Sequence, residues 1–195
     1  MAQTRTLIIA AALLAGIGAV AAGAYVLLPR PAIVAGPSAV GGPFQLVDQD
    51  GRTVTDQDLR GSPFLVFFGF THCPDICPTA LSDLSQTLDA LGPAADKMNV
   101  LFVTVDPERD TAAVLKSYIG SFHPRIRGMT GSPDQVAAMT KVYRAYSRKV
   151  PTQGGDYTMD HTAIVYLMGK DGAFVAPFNL KRPPAESAAE LQRYF

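Results

Sequence analysis

An α/β domain with a mixed sheet flanked by helices is the fold that the sequence predicts, and three features of the chain lead to it. Residues 64–70 (FLVFFGF) and 100–105 (VLFVTV) are continuous apolar runs bounded by turn residues, the pattern of strands buried on both faces. A helical pattern lies between them, so the two strands pair in parallel through a right-handed crossover. Near the C-terminus, Gly169-Lys170-Asp171-Gly172 turns a strand at 162–168 back into residues 173–178, which adds an antiparallel hairpin. Parallel centre, antiparallel edge and helices on both faces together make a thioredoxin-like layout.

Each element has its local reason. Phe44-Gln45-Leu46-Val47, the turn Asp48-Gln49-Asp50-Gly51 and Arg52-Thr53-Val54 read as a first hairpin. After the strand at 64–70 and the polar turn THCPDICP at 71–78, a helix is expected. Ala80, Leu81, Leu84, Leu88 and Leu91 keep the three-to-four spacing of one apolar face, and Gly92-Pro93 stops it. The strand at 100–105 leads through Asp106-Pro107-Glu108-Arg109-Asp110 into a helix at about 111–119. Ser132-Pro133-Asp134 starts another helix, with Ser as N-cap, Pro in the first turn and an acid beside the dipole's positive end. Val136, Met139, Tyr143 and Tyr146 fall on one side of it. A short helix from about Pro184 closes the chain, and no internal repeat is seen.

In front of this domain lies a different kind of segment. Residues 7–28 (LIIAAALLAGIGAVAAGAYVLL) contain no charge, and a helix of that length rises about 33 Å, enough to cross a bilayer core. The run is longer than the core of a cleaved signal peptide, so an uncleaved anchor is favoured, although Ala19-Val20-Ala21 resembles a cleavage site. The expected organisation is a short cytoplasmic tail at 1–6, a transmembrane anchor at 7–28, a Pro/Gly-rich linker at 29–43 and the folded domain at 44–195. Arg5 and the amino terminus before the span favour a cytoplasmic N-terminus, with the domain on the far side of the inner membrane, facing a periplasm-like space.

Composition narrows the function classes. The 195 residues carry 17 Lys+Arg against 17 Asp+Glu, which argues against a nucleic-acid binder working through bulk positive charge. Two cysteines cannot build a disulfide scaffold. Those two, Cys73 and Cys77, stand where a buried strand hands over to a helix. Free N–H groups and the positive dipole end at that point stabilise thiolates, so depressed pKa values are expected for both. A spacing of four puts both sulfurs on one side of a helical turn. Such a pair can cycle through a disulfide or grip a soft metal. A structural disulfide would close too short a loop to stabilise much, and core packing is an odd role for two cysteines in a polar turn.

Further ligands are scarce. His72 adjoins Cys73, His123 precedes Pro124 in a loop, and His161 opens a strand at the start of the final hairpin, from where its loop can approach the cysteine turn. Met159 offers a thioether two residues before His161, whereas Met98, Met129, Met139 and Met168 read as packing residues. Four-ligand zinc is poorly supplied; a three-ligand copper site can be filled.

The run Phe68-Gly69-Phe70-Thr71-His72-Cys73-Pro74-Asp75-Ile76-Cys77-Pro78 closely resembles the signature of the Sco/SenC proteins. So do the block at 103–110 (VTVDPERD), Asp160-His161-Thr162, and Val165-Tyr166-Leu167-Met168, in the same order and behind the same kind of anchor. The resemblance implies a membrane-anchored, thioredoxin-like copper chaperone that delivers copper to the CuA centre of cytochrome c oxidase subunit II. It implies one copper per chain, as Cu(I) or Cu(II), held by Cys73, Cys77 and His161, with His72 not a ligand. It also implies an upstream copper donor and a thiol reductant as partners, the latter because an extracytoplasmic compartment oxidises thiols. Asp75, Asp106 and Asp160 are candidates for the partner-facing surface. The competing readings are a thiol–disulfide oxidoreductase using Cys73 and Cys77, which could reduce the CuA cysteines, and a redox or copper sensor. The three residues between the cysteines, where redox turns usually have two, count against an enzyme.

Overall fold

A computed structural model describes residues Val40–Phe195. The expected anchor at 7–28, the tail before it and most of the linker lie outside the described residues. Among the described residues no helix is long and apolar enough to cross a membrane.

The chain runs β1 (Gln45–Asp48), β2 (Thr53–Thr55), β3 (Phe64–Gly69), α1 (Ile76–Leu91), β4 (Asn99–Thr104), α2 (Ala112–Ile119), β5 (Ile126–Thr130), α3 (Pro133–Val142), β6 (Ser147–Pro151), β7 (Tyr157–His161), β8 (Val165–Met168), β9 (Phe174–Phe178) and α4 (Pro184–Leu191). Seven strands form one sheet in the order β2-β1-β5-β4-β3-β8-β9. β3, β4 and β5 are parallel; β8 and β9 extend one side and β1 and β2 the other, all antiparallel. This is the mixed, thioredoxin-like sheet expected. Every residue of β3 is buried, as its unbroken apolar run required.

Period-two alternation sorts the core. On one face Phe67 packs against Phe102, and Phe102 against Tyr118 of α2. Gly128 of β5 sits under α2, where a Cβ would meet Leu115 and Ile119 at 3.2–3.3 Å. On the other face Phe68, Tyr143 and Tyr166 meet edge to face at 5.6–6.0 Å. Helix α1 buries Leu81, Leu84, Leu88 and Leu91, each worth about 1.5–3 kcal/mol of apolar burial. α4 packs along α1. Ser132 caps α3 as expected, in a reciprocal pair with Gln135.

Four expectations need correction. β5 was not foreseen, because Arg127 and Gly128 interrupt its short apolar run. Helix α3 ends at Val142 and does not reach Tyr146. Arg144 reverses the chain at φ 52°, so Tyr143 is buried while Tyr146 is 51% exposed. A second hairpin, β6 with β7, forms a sheet of its own, in register Ser147↔His161 through Pro151↔Tyr157. The strand expected at 162–168 begins only at Val165, and His161 ends β7 rather than opening the final hairpin. At the start of the domain, Gly41 N–H donates to Val142 C=O at 2.9 Å, so the described end of the expected linker is pinned to the fold.

Candidate metal centre

The site is assembled from two segments. The first is the turn between β3 and α1. Gly69, the last residue of β3, is there for a steric reason: a Cβ would stand 2.5 Å from the Phe102 ring and 2.8 Å from Cys77 Sγ. The absent side chain is the space that Cys77 occupies. Cys77 lies in the first turn of α1 and is fully buried; Cys73 lies ahead of the helix and is half-buried. The sulfurs are therefore not stacked by one turn of helix. They are drawn together by the turn itself, in which Cys77 N–H donates to Cys73 Sγ at 3.4 Å. Both are free thiols.

The turn is held down by Asp110, which is completely buried at the far end of the loop after β4. Its carboxylate accepts from Thr71 N–H at 3.0 Å, Thr71 Oγ1 at 2.6 Å and Thr104 Oγ1 at 2.6 Å. Nothing in the sequence spacing announces this tether across 39 residues.

The second segment is β7, which brings His161 across. His161 Nε2 lies 3.6 Å from Cys77 Sγ, and the ligand atoms of Cys73, Cys77 and His161 all fall within 4.8 Å of one another. Bonds of about 2.0–2.3 Å to a shared three-coordinate ion would leave its ligands a little under 4 Å apart. The Nδ1 edge of His161 faces Thr162 C=O at 3.2 Å. Donation there fixes the proton on Nδ1 and leaves the Nε2 lone pair aimed at the sulfurs. Edge-to-face contacts with Phe70 at 5.6 Å and Phe67 at 6.4 Å hold the ring's plane. Among the described residues this is the sole group of three His, Cys or acidic side chains placed to share an ion.

The expectation of two depressed thiol pKa values fails for Cys77. Burial pushes its thiol well above the ordinary cysteine range. A backbone hydrogen bond at Phe70 opposes that shift without cancelling it, and the neighbouring Cys73 and Asp110 add to it. A dry pocket outweighs the helix terminus, because removing water from a charge costs more than one turn of oriented dipoles returns. A metal that binds here must displace that proton. Metal affinity is therefore expected to rise about tenfold per pH unit for each proton released, with at least one released near neutrality. Titrating affinity between pH 6 and 9 checks this; a flat profile would contradict it. The same shift sets the sign for the metal-free domain. The unfolded thiol ionises first, near pH 8.5, so stability is full below that and falls as pH rises further.

The remaining expected residues fall as follows. His72 is exposed, with Nδ1 3.1 Å from Thr71 Oγ1, and is not in the group of three. His123 accepts from Arg125 N–H at 3.1 Å on a distant loop. Met159 is buried on the same face of β7 as His161 and lines the same cleft, of about 280 Å³, with Phe70, Cys73, Ile76 and His161. Asp75 and Asp160 rim this cleft, but Asp106 is 1% exposed and cannot face a partner.

Known proteins are similar to this chain in sequence and fold. The SCO1/SenC family model matches residues 34–195. The chain is 42% identical over 143 residues to the mitochondrial SCO1 homolog 1 of Arabidopsis thaliana, covering 72% of this chain and 42% of that protein. It is 41% identical over 161 residues to the mitochondrial SCO2 homolog of Bos taurus, covering 80% and 60%. The chain thus spans about half the length of these curated relatives. Among solved structures, Bradyrhizobium japonicum ScoI with copper bound superposes with a TM-score of 0.79 at 58% identity, over 80% of this chain and 99% of that one. Yeast Sco1 with copper bound gives 0.73 at 38% identity, over 81% and 88%. The chain belongs to the SCO1/SenC family.

Proposed function

We propose that this domain is a copper carrier: Cys73, Cys77 and His161 hold one copper ion as cargo and pass it to the CuA centre of cytochrome c oxidase subunit II. The observation that supports this reading most is the convergence of the three ligand atoms within 4.8 Å. Two thiolates suit Cu(I), and an imidazole adds a donor that Cu(II) accepts. Relatives of the same fold were solved with copper bound, which supports the same cargo here.

The site is graded in exposure, and that grading suits handover. Cys73 and His161 are half-exposed while Cys77 is buried. An acceptor's thiol gives up its proton to solvent as its sulfur binds the ion beside Cys73, and the displaced Cys73 thiolate takes a proton up from solvent. Cys77 lets go last. The copper donor upstream loads the site by the same exchange in reverse. The span at 7–28 anchors the domain to the inner membrane on its periplasmic side, where a reductant keeps both thiols available. The adjacent free thiols also favour a second reading, in which Cys73 and Cys77 become a disulfide while reducing the acceptor's cysteine pair.

Reduced protein titrated with Cu(I) and with Cu(II) is expected to bind one ion per chain. In His161→Ala, Cu(II) affinity falls by at least about 100-fold, while Cu(I), kept by two sulfurs, falls far less. Unchanged affinity for both states would remove His161 from the site and overturn the reading.

A further inference from the structure

The loop at 106–110 contributes no ligand, yet it is wired to both halves of the site. Asp110 holds the cysteine turn. Asp106 and Arg109, three residues apart, hold the hairpin that carries His161. Asp106 accepts from Arg109 Nε on one oxygen and from Tyr157 Oη, at 2.8 Å, on the other. Arg109 Nη1 donates to Tyr157 C=O at 2.9 Å, and the guanidinium stacks on the Tyr157 ring at 3.8 Å. Tyr157 opens β7 and His161 ends it.

This closed ring of contacts matters because the hairpin stands outside the main sheet. β6 and β7 pair only with each other, and no strand of the seven-stranded sheet adjoins them. Their turn contains Gly154 and Gly155, at φ 89° and 86°, a conformation that glycine adopts without strain, and the space around both is open. Beyond the Asp106–Arg109–Tyr157 contacts, Arg109 Nη1 reaches Asp156 Oδ1 at 3.3 Å, Lys149 reaches Glu108 at 2.5 Å, Met159 is buried, and His161 meets Phe67 and Phe70. The Phe67 and Phe70 rings and the Thr162 carbonyl orient the imidazole at one end of β7, and the Tyr157 contacts pin the other end, so both bear on its place relative to the sulfurs.

We propose that Asp106, Arg109 and Tyr157 form a clamp that sets the position of the His161 imidazole, and so governs how well the site holds Cu(II) relative to Cu(I). Arg109 and Tyr157 are positioning residues; neither touches the ion. The selectivity half of this proposal rests on the copper reading above. The positional half does not, since it concerns the metal-free chain.

The test uses Tyr157→Phe, which removes one hydrogen bond and keeps the stacked ring, and Arg109→Ala, which removes the centre of the clamp. In metal-free protein, amide exchange over residues 157–161 is expected to quicken at least about tenfold in Arg109→Ala, with β3 and β4 amides unchanged. Cu(II) dissociation constants should rise about tenfold in Tyr157→Phe and about 100-fold in Arg109→Ala. The imidazole nitrogen coupling in the Cu(II) spectrum should weaken in the same order. Cu(I) affinity should stay within about threefold, because the two sulfurs remain tethered by Asp110. Unchanged exchange over 157–161 in Arg109→Ala overturns the clamp. Equal loss of both copper states, or loss of cooperative folding in Tyr157→Phe, overturns the selectivity. A wild-type chain that takes up neither state refutes the copper reading and its selectivity, and leaves the exchange measurement to decide the clamp.

Discussion

Cys77→Ser is expected to lose Cu(I) by well over 100-fold while the domain stays folded. An outer partner of a ligand is worth about 10–100-fold in affinity, and Cys77 is proposed as a ligand itself, the sulfur that lies 3.6 Å from His161 Nε2. Serine keeps the shape but offers a hard, poorly ionised oxygen in place of a soft thiolate. The fold should tolerate it at a cost of about 1–3 kcal/mol, for a hydroxyl placed against Phe102 and the end of β3 in a fully buried position. Competition against a Cu(I) chelator reads the first effect and urea denaturation the second. Affinity within tenfold of wild type would mean that copper is held elsewhere. Oxygen in the other position, Cys73→Ser, should cost comparable affinity and almost no stability, because Cys73 is half-buried at the rim.

Asp110→Ala is expected to destabilise the metal-free domain by about 3–5 kcal/mol. The side chain is fully buried, and its carboxylate accepts three hydrogen bonds at 2.6–3.0 Å. Hydrogen bonds to a charged acceptor are worth about 1.5–3 kcal/mol each, and truncation leaves the Thr71 amide and the buried Thr104 hydroxyl without that partner. For a domain of this size that is a fall of about 10 °C in melting temperature. Copper affinity should fall with it, since the turn bearing Cys73 loses its anchor to the end of β4. Asp110→Asn, which retains an acceptor, should lose less than half as much. A destabilisation under about 1 kcal/mol in Asp110→Ala would mean that water replaces the carboxylate without cost.

The loop that contains Asp110 shows why some of the site was legible and some was not. Cys73 and Cys77 stand four apart at a strand–helix junction, and the chemistry of paired thiolates follows from residue type and local spacing. Chain position favours His161 only modestly among three imidazoles, and the family resemblance is what singles it out. Asp106 was read as a surface acid and proved to be buried, because a hydrogen-bonded carboxylate and an exposed one look alike in a polar loop. Gly69 was read as part of a strand, and its contact with Cys77 Sγ depends on a helix that packs after it. The strands β3 and β4 announced themselves by unbroken apolar runs, whereas β5, β6 and β7 did not. Charged and glycine residues break those short segments; β5 takes its partners from strands distant in the chain, and β6 and β7 pair with each other without the period-two apolar pattern that marks a strand.

By itself the sequence determined the ingredients that act over a few residues: buried central strands, capped helices, and two sulfurs in one turn. The tertiary structure alone decided what acts across the chain. It made β6 and β7 a hairpin apart from the main sheet, carried His161 across 84 residues to Cys77, and turned two acids of one loop into tethers for opposite halves of the site. It also reversed the expected behaviour of Cys77, because helix-end polarity is written locally while dryness depends on everything that closes around the sulfur. The physical reason is common to all of these: local propensity and spacing involve near neighbours in the chain, whereas burial, tethering and ligand convergence exist only once distant segments have packed together.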